Sequence, residues 1–194
     1  MKKLLAISTA AILAGAVPLA ASADDAGTFY VGAGIGNASF KSAEFLTDFG
    51  NDTFGDDDVA YRVFVGYQIT EAVGVELGYQ DWGKLKDTEA FTGFAAQIEP
   101  TVFDVVAVGR APLGDTVTIY GKAGVAFLSA DTMIDDGEGG TFSSTTVSQD
   151  LTFGGGFEFK VGSFGIRVEA DWVDVEDSDQ AVVYGLYGVY NFGD

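Results

Sequence analysis

Over residues 164–172 the chain alternates: Phe164, Ile166, Val168, Ala170 and Trp172 are apolar, while Arg167, Glu169 and Asp171 between them are charged. A period of two is the pattern of a β-strand that separates an apolar medium from a polar one. A helix would repeat its apolar positions every three or four residues instead. The same division recurs in Leu151, Phe153, Gly155, Phe157 and Phe159 against Thr152, Gly154, Gly156 and Glu158. It returns over 117–127, 59–69 and 73–79, and in weaker form over 29–40, 101–111 and 182–192. These segments predict eight strands and no helix in the body of the chain.

The connections come in two sizes. Short links follow Ile69, Pro112 and Phe159, whereas longer segments cover 41–57, 83–99, 130–148 and 174–181. Alternate strands start near Phe29, Val73, Val117 and Phe164, at steps of 44, 44 and 47 residues. Short turns at one end and long loops at the other describe an up-and-down antiparallel β-barrel. The spacing leaves no room for a second domain.

The first 23 residues read as an address rather than as part of the fold. Lys2 and Lys3 precede an apolar run over 4–17, and Ala21-Ser22-Ala23 supplies a small-x-small cleavage site. This is the layout of a secretory signal peptide. The alternative, a spanning helix, needs about 20 apolar residues, and the run is shorter. Cleavage after Ala23 leaves a domain over 24–194; loss of Lys2 and Lys3 takes the formal charge from -19 to -21.

Which face lies inside decides the solvent. A soluble barrel would turn the apolar face inward. Eight strands, however, enclose only enough space for side chains to fill, and the glycine-rich, charged face fits that space better. Aromatic residues on the apolar face point the same way. Phe29, Tyr67, Phe157, Phe159, Phe164, Tyr190 and Phe192 fall near the short-turn end; Tyr61, Tyr79, Phe103, Phe127, Trp172 and Tyr184 fall near the loop end. Two aromatic girdles around an apolar band mark a transmembrane barrel. The alternative, aromatics filling a sandwich core, does not explain two bands, and a closed barrel satisfies every strand hydrogen bond in lipid.

Several stretches resemble one known family. Gly66-Tyr67-Gln68-Ile69 followed by Val75-Glu76-Leu77-Gly78-Tyr79 resembles the second hairpin of OmpA-like outer-membrane barrels. Gly154-Gly155-Gly156-Phe157-Glu158-Phe159 with Arg167-Val168-Glu169 is similar to their sixth and seventh strands, and Gly188-Val189-Tyr190-Asn191-Phe192-Gly193 to their last. The resemblance implies an integral outer-membrane protein of a Gram-negative bacterium, exported through the general secretory route. It implies outer-membrane lipid and lipopolysaccharide as surroundings, and the barrel-assembly machinery as a partner during biogenesis. It also implies a charged lumen plug, in which Glu76, Glu158 and Arg167 match three family positions. The fourth position, a lysine on the fourth strand, falls on Val108, with Arg110 two residues on. Tyr187 stands where the family's last strand usually carries glycine. With Asp194 as the final residue, the peptidoglycan-binding domain of full-length relatives is expected to be absent.

Parity alone assigns Arg62, Glu76, Asp104, Arg110, Lys122, Glu158, Arg167, Glu169 and Asp171 to the inward face. Four bases against five acids are nearly balanced, although the whole chain is strongly acidic. Charges taken out of water need partners, so a mutually satisfied ion-pair network is expected. A lining that selects ions in a narrow pore is the alternative. Small inward residues at Gly32, Gly34 and Gly36 account for the Gly-rich stretch better than a dinucleotide loop, which needs a further glycine and a helix.

Composition removes most chemistry. The chain has no histidine and no cysteine. That excludes the serine–histidine hydrolase triad, thiolate nucleophiles and thiolate metal sites. A sequence pI near 4.1 argues against nucleic acid. Nineteen of the 29 acids lie in or beside the long loops, facing Lys41, Lys84 and Lys86. Solvated loops are the plain reading; weak divalent-cation binding is a sharper one, although no EF-hand spacing is present. A carboxylate-pair glycosidase built on Asp56–Asp58 would lack a sugar-binding cleft. The expectation is therefore a non-enzymatic barrel without cofactor or dedicated metal, serving a structural or surface-interaction role. A small porin is the alternative, and neither a ligand nor a surface partner can be named from the sequence.

Overall fold

The computed structural model describes residues 26–42, 54–88, 95–135, 141–175 and 180–193. The expected signal segment, with Ala21 and Ala23, lies outside the described residues. The described chain forms β1 (Thr28–Ser42), β2 (Phe54–Gln68), β3 (Val73–Asp81), β4 (Leu85–Thr88), β5 (Ala95–Pro112), β6 (Val117–Asp135), β7 (Thr141–Val161), β8 (Phe164–Asp174) and β9 (Gln180–Asn191). Each pairs antiparallel with its neighbour, β3 and β4 both pair with β5, and β9 closes on β1. Because β3 and β4 share one wall, the ring is an eight-stranded barrel.

The wall is interrupted by a bulge. Asp81 faces Thr101 and Leu85 faces Ile98, so residues 82–84 stand against only 99 and 100. Gly83 takes a φ of 73°, a left-handed conformation that glycine adopts without steric cost. The Trp82 backbone N–H donates to the Pro100 carbonyl at 3.0 Å. Trp82 continues the inward even-numbered parity of β3 and is fully buried, and the bulge then shifts the parity so that Leu85 also turns inward.

Register fixes which side chains meet. Starting at Phe29 and following partners through Tyr67, Val75, Ala107, Ala123, Phe153, Trp172 and Val182, the ladder returns to β1 at Ser39, ten residues further along. This stagger tilts the strands and coils them tightly. Inward glycines accommodate the coiling, and the substitution they resist can be read off directly. A methyl at Gly156 would run into the Val168 carbonyl of β8, whereas at outward Gly121 the nearest atom lies 3.9 Å away. Gly156→Ala is expected to lower stability by about 1–3 kcal/mol as an overpacked site. Gly121→Ala serves as the neutral control; urea unfolding of both variants in lipid vesicles checks the contrast.

The strands run further than the periodicity implied. Asp57, Asp58, Asp81, Glu99, Asp131, Asp150 and Asp174, expected in or beside loops, all sit on strands. Asp150 is buried and accepts a hydrogen bond from the Ser148 hydroxyl at 2.5 Å. The physical reason is that backbone pairing continues beyond the lipid, where the outward face no longer has to be apolar and the alternation loses its cause.

Candidate functional site

Every second residue along the strands points into a closed interior, and the structure gathers the nine ionisable residues singled out above there. Arg62, Glu76, Asp104, Lys122, Glu158, Arg167, Glu169 and Asp171 are buried; Arg110 is partly open toward the short-turn end. They form two linked groups. On the turn side, Arg167 donates from Nε to Glu158 Oε2 at 2.7 Å and from Nη1 to Glu76 Oε1 at 2.6 Å. Arg110 Nη1 reaches the same Glu158 oxygen at 3.3 Å, and the Tyr30 hydroxyl donates to Glu76 at 2.9 Å.

On the loop side, Arg62 donates to Asp171 at 2.6 Å and to Asp104 at 3.1 Å. Lys122 donates to Glu169 at 2.7 Å and to Asp171 at 2.8 Å, while the Tyr120 hydroxyl donates to Glu169 at 2.6 Å. Gln80 continues the chain, donating to Asp104 and accepting from the Trp82 indole. A 3.9 Å contact between Arg62 and Glu76 joins the two groups. Charge-assisted bonds of this kind are the strong ones, and in a low-dielectric interior each depends on its partner.

On the fourth strand the cation beside Glu158 is Arg110, at 3.3 Å. Val108 is buried beside Val106 and Tyr120 and stands directly opposite Lys122 on β6. Lys122 itself pairs with Glu169 and Asp171 in the loop-side group.

Five inward aromatics, Tyr30, Phe64, Trp82, Tyr120 and Tyr187, accompany the ionisable residues, and of these the sequence drew attention only to Tyr187, as a departure on the last strand. Each of three sits across from a glycine on the neighbouring strand: Phe64 from Gly32, Tyr30 from Gly66 and Tyr187 from Gly34. Adding a Cβ at these glycines would strike the facing ring or, at Gly34, the backbone of β9 as well. The Arg167 guanidinium lies about 5 Å from the ring centroids of Tyr30, Phe64 and Tyr120, a cation–π enclosure in addition to its ion pairs.

The loop end of the interior has a different character. Ala38, Ala60, Trp82, Val102, Ala126, Leu128, Val173, Ala181 and Val183 pack into one apolar cluster, and Leu85 and Ile98 form another nearby. Sequence parity placed residues such as Val102 inward. Trp82 joins them by continuing the inward parity of Glu76, Gly78 and Gln80, and the bulge at Gly83 then turns Leu85 inward.

The outward face carries the aromatic residues in two bands. Phe29, Phe157, Phe159, Phe164, Tyr190 and Phe192 are exposed near the turns, with Tyr67 half-buried; Tyr61, Tyr79, Phe103, Phe127, Trp172 and Tyr184 are exposed toward the loops. Phe29 meets Tyr67 at 4.8 Å between centroids and Phe153 stacks on Trp172 at 5.8 Å. Between the bands the exposed side chains are mostly Val, Ile and Leu, with Phe157, opposite Val168, reaching into the belt. Eight residue steps separate Phe164 from Trp172 on β8. At about 3.3 Å per residue and a tilt near 40° this gives a belt about 20 Å tall. Among the described residues no group of three or more acids is arranged to hold a metal ion.

A family model described as the OmpA-like transmembrane domain matches residues 24–192. Outer membrane protein A of Shigella flexneri is 28% identical over 177 residues, covering 90% of this chain and 49% of that protein. Outer membrane protein P5 of Haemophilus influenzae is 30% identical over 182 residues, covering 89% of this chain and 51% of that protein. The chain thus spans about half the length of these curated relatives. Among solved structures, the outer membrane protein OprG from Pseudomonas aeruginosa superposes with a TM-score of 0.62 at 14% identity, covering 89% of this chain and 99% of that one.

Proposed function

The chain belongs to the family of OmpA-like transmembrane domains, and from that membership we propose that it works as a sealed structural and surface-interaction barrel rather than as a pore or an enzyme. It resides in the outer membrane of a Gram-negative bacterium, with its apolar belt in the lipid. The aromatic bands serve as anchors at the two interfaces, where amphipathic rings are favoured. Lipopolysaccharide and lipid surround the belt. The leader ending at Ala23 directs export, and the assembly machinery inserts the strands. Acidic residues at the loop end create a field that attracts cations and cationic partners.

The observation that carries the sealed reading is the filling of the interior. Ion pairs occupy its middle, aromatic rings its turn side and an apolar cluster its loop end. One observation favours the porin reading instead. Buried polar atoms, among them Arg62 Nε, Glu76 Oε2, Arg110 Nη2 and Asp171 Oδ1, have no hydrogen-bond partner within the protein. Such atoms call for water, and a continuous file of water would conduct. Single-channel recording of the purified protein in planar bilayers separates the two. A flat baseline is expected; uniform, reproducible current steps would overturn the sealed reading.

A further inference from the structure

The sheet does not end where the belt ends. β6 and β7 remain paired from Leu128↔Ser148 to Asp135↔Thr141, eight pairs beyond the loop-side aromatic Phe127. At about 3.3 Å per residue they extend about 26 Å along the strands. β5 pairs with β6 over the same stretch, and β4 pairs with β5. The other side of β7 differs. β8 joins it only from Leu151↔Asp174 onward, so among the described residues 141–150 are paired on one side alone.

Among the described residues nothing covers that edge. Exposed edges in natural sheets are usually blunted by lysine, proline, bulges or inward charges. Residues 141–149 read Thr-Phe-Ser-Ser-Thr-Thr-Val-Ser-Gln, with no charge, proline or glycine. Alternate residues present both N–H and C=O to the open side, a ready template for one more strand.

A second copy is a poor occupant. In every copy inserted in the same membrane β7 runs from the loop end toward the turns, so two such edges meet parallel. A two-fold axis would then set identical groups opposite one another, out of step with the offset that parallel bonding needs. Each copy is also strongly acidic. A detached extended segment can instead arrive antiparallel, the more stable pairing. The charges select its sign: exposed Asp131 stands across the ladder from Thr145, while Lys84 is engaged by Glu99 at 2.7 Å. We propose that residues 141–150 of β7 form a docking edge for an extended, basic segment of another protein, which adds to the sheet as an antiparallel strand.

This deepens the surface-interaction reading and rests on it. The test uses the purified protein folded in detergent micelles and two blocked 12-residue peptides, a fourfold repeat of Lys-Val-Thr and its Glu-Val-Thr counterpart. Amide hydrogen exchange is followed by mass spectrometry. At ten times its Kd the lysine peptide should slow exchange within 141–150 about tenfold, leaving 117–127 unchanged, and the glutamate peptide should have no effect. Val147→Lys places a like charge on the exposed edge and should weaken binding by about threefold to fivefold. Of Thr146→Pro and Val147→Pro, one removes an N–H from the β6 ladder and the other from the open edge. The edge variant should keep the β6 protection and lose the peptide effect. No slowing at millimolar peptide, equal slowing by the acidic peptide, or protection elsewhere on the barrel overturns the proposal. A flat bilayer recording combined with any of those results rejects the docking edge and leaves the sealed barrel standing. Current steps would reject the sealed reading whatever the peptides do.

Discussion

Arg167→Ala is expected to be the most destabilising single change in the interior, lowering unfolding stability by about 3–5 kcal/mol, the usual cost of removing one partner from a buried pair. The side chain has no solvent exposure and bonds Glu158 and Glu76 at 2.7 and 2.6 Å. Its loss leaves both carboxylates short of a cation, and Arg110 approaches them only at 3.3 and 4.0 Å. Glu158→Gln in the Arg167→Ala background should recover part of the loss, because one unmatched charge disappears. A double-mutant cycle on 158 and 167, read by urea unfolding in lipid vesicles, measures that coupling. A coupling near zero would mean that water, not Glu158, satisfies the guanidinium. The bilayer record of Arg167→Ala should remain flat, since Trp82, Val102, Val173 and Val183 still close the loop end. An open channel in this variant would assign the seal to the ion pairs alone.

The membership of this network was legible in the sequence, whereas its pairing was not. Parity along one strand places Arg62 inward, because the neighbours Tyr61 and Val63 match the lipid-side pattern. That Arg62 bonds Asp171, 109 positions away, depends on the stagger accumulated around the closed ladder. The same holds for Phe64 above Gly32 and Tyr30 above Gly66: large and small residues can be matched only once register is known. Lys122 was assigned inward, yet its standing opposite Val108 is a property of two strands together. Outside the belt the signal fails for another reason. Beyond the belt the outward face no longer has to be apolar, so no alternation marks 129–135 and 141–148, although backbone pairing extends through both. The bulge at Gly83 left a single trace, a glycine after Trp82, too slight to foretell that the parity shifts there and Leu85 turns inward.

The belt itself supplies the remaining large effect. Val168 lies midway between Phe164 and Trp172 on β8, flanked across the ladder by Phe157 and Leu186, with half of its surface exposed on the outer face. In water such a position would tolerate arginine. In a bilayer it sits near the midplane, and an outward arginine there costs about 2–4 kcal/mol in transmembrane barrels. Val168→Arg should therefore reduce unfolding stability by that amount in lipid vesicles. Arginine at Phe164 or Trp172, at the rims, should cost about 0–1 kcal/mol for the charge, plus whatever the lost ring contributed. The depth dependence is the informative part. Packing against Phe157 and Leu186 resembles the contacts of any strand surface, so a steric penalty alone would not rise toward the middle of β8 and fall at both ends. A flat profile along 164, 168 and 172 would place the apolar face in contact with something other than hydrocarbon, and the inward and outward assignments of every strand would have to be exchanged. A peak at Val168 fixes the belt's centre on the barrel and, with it, the height at which Arg167, one residue away and facing inward, holds Glu76 and Glu158 together at the midplane.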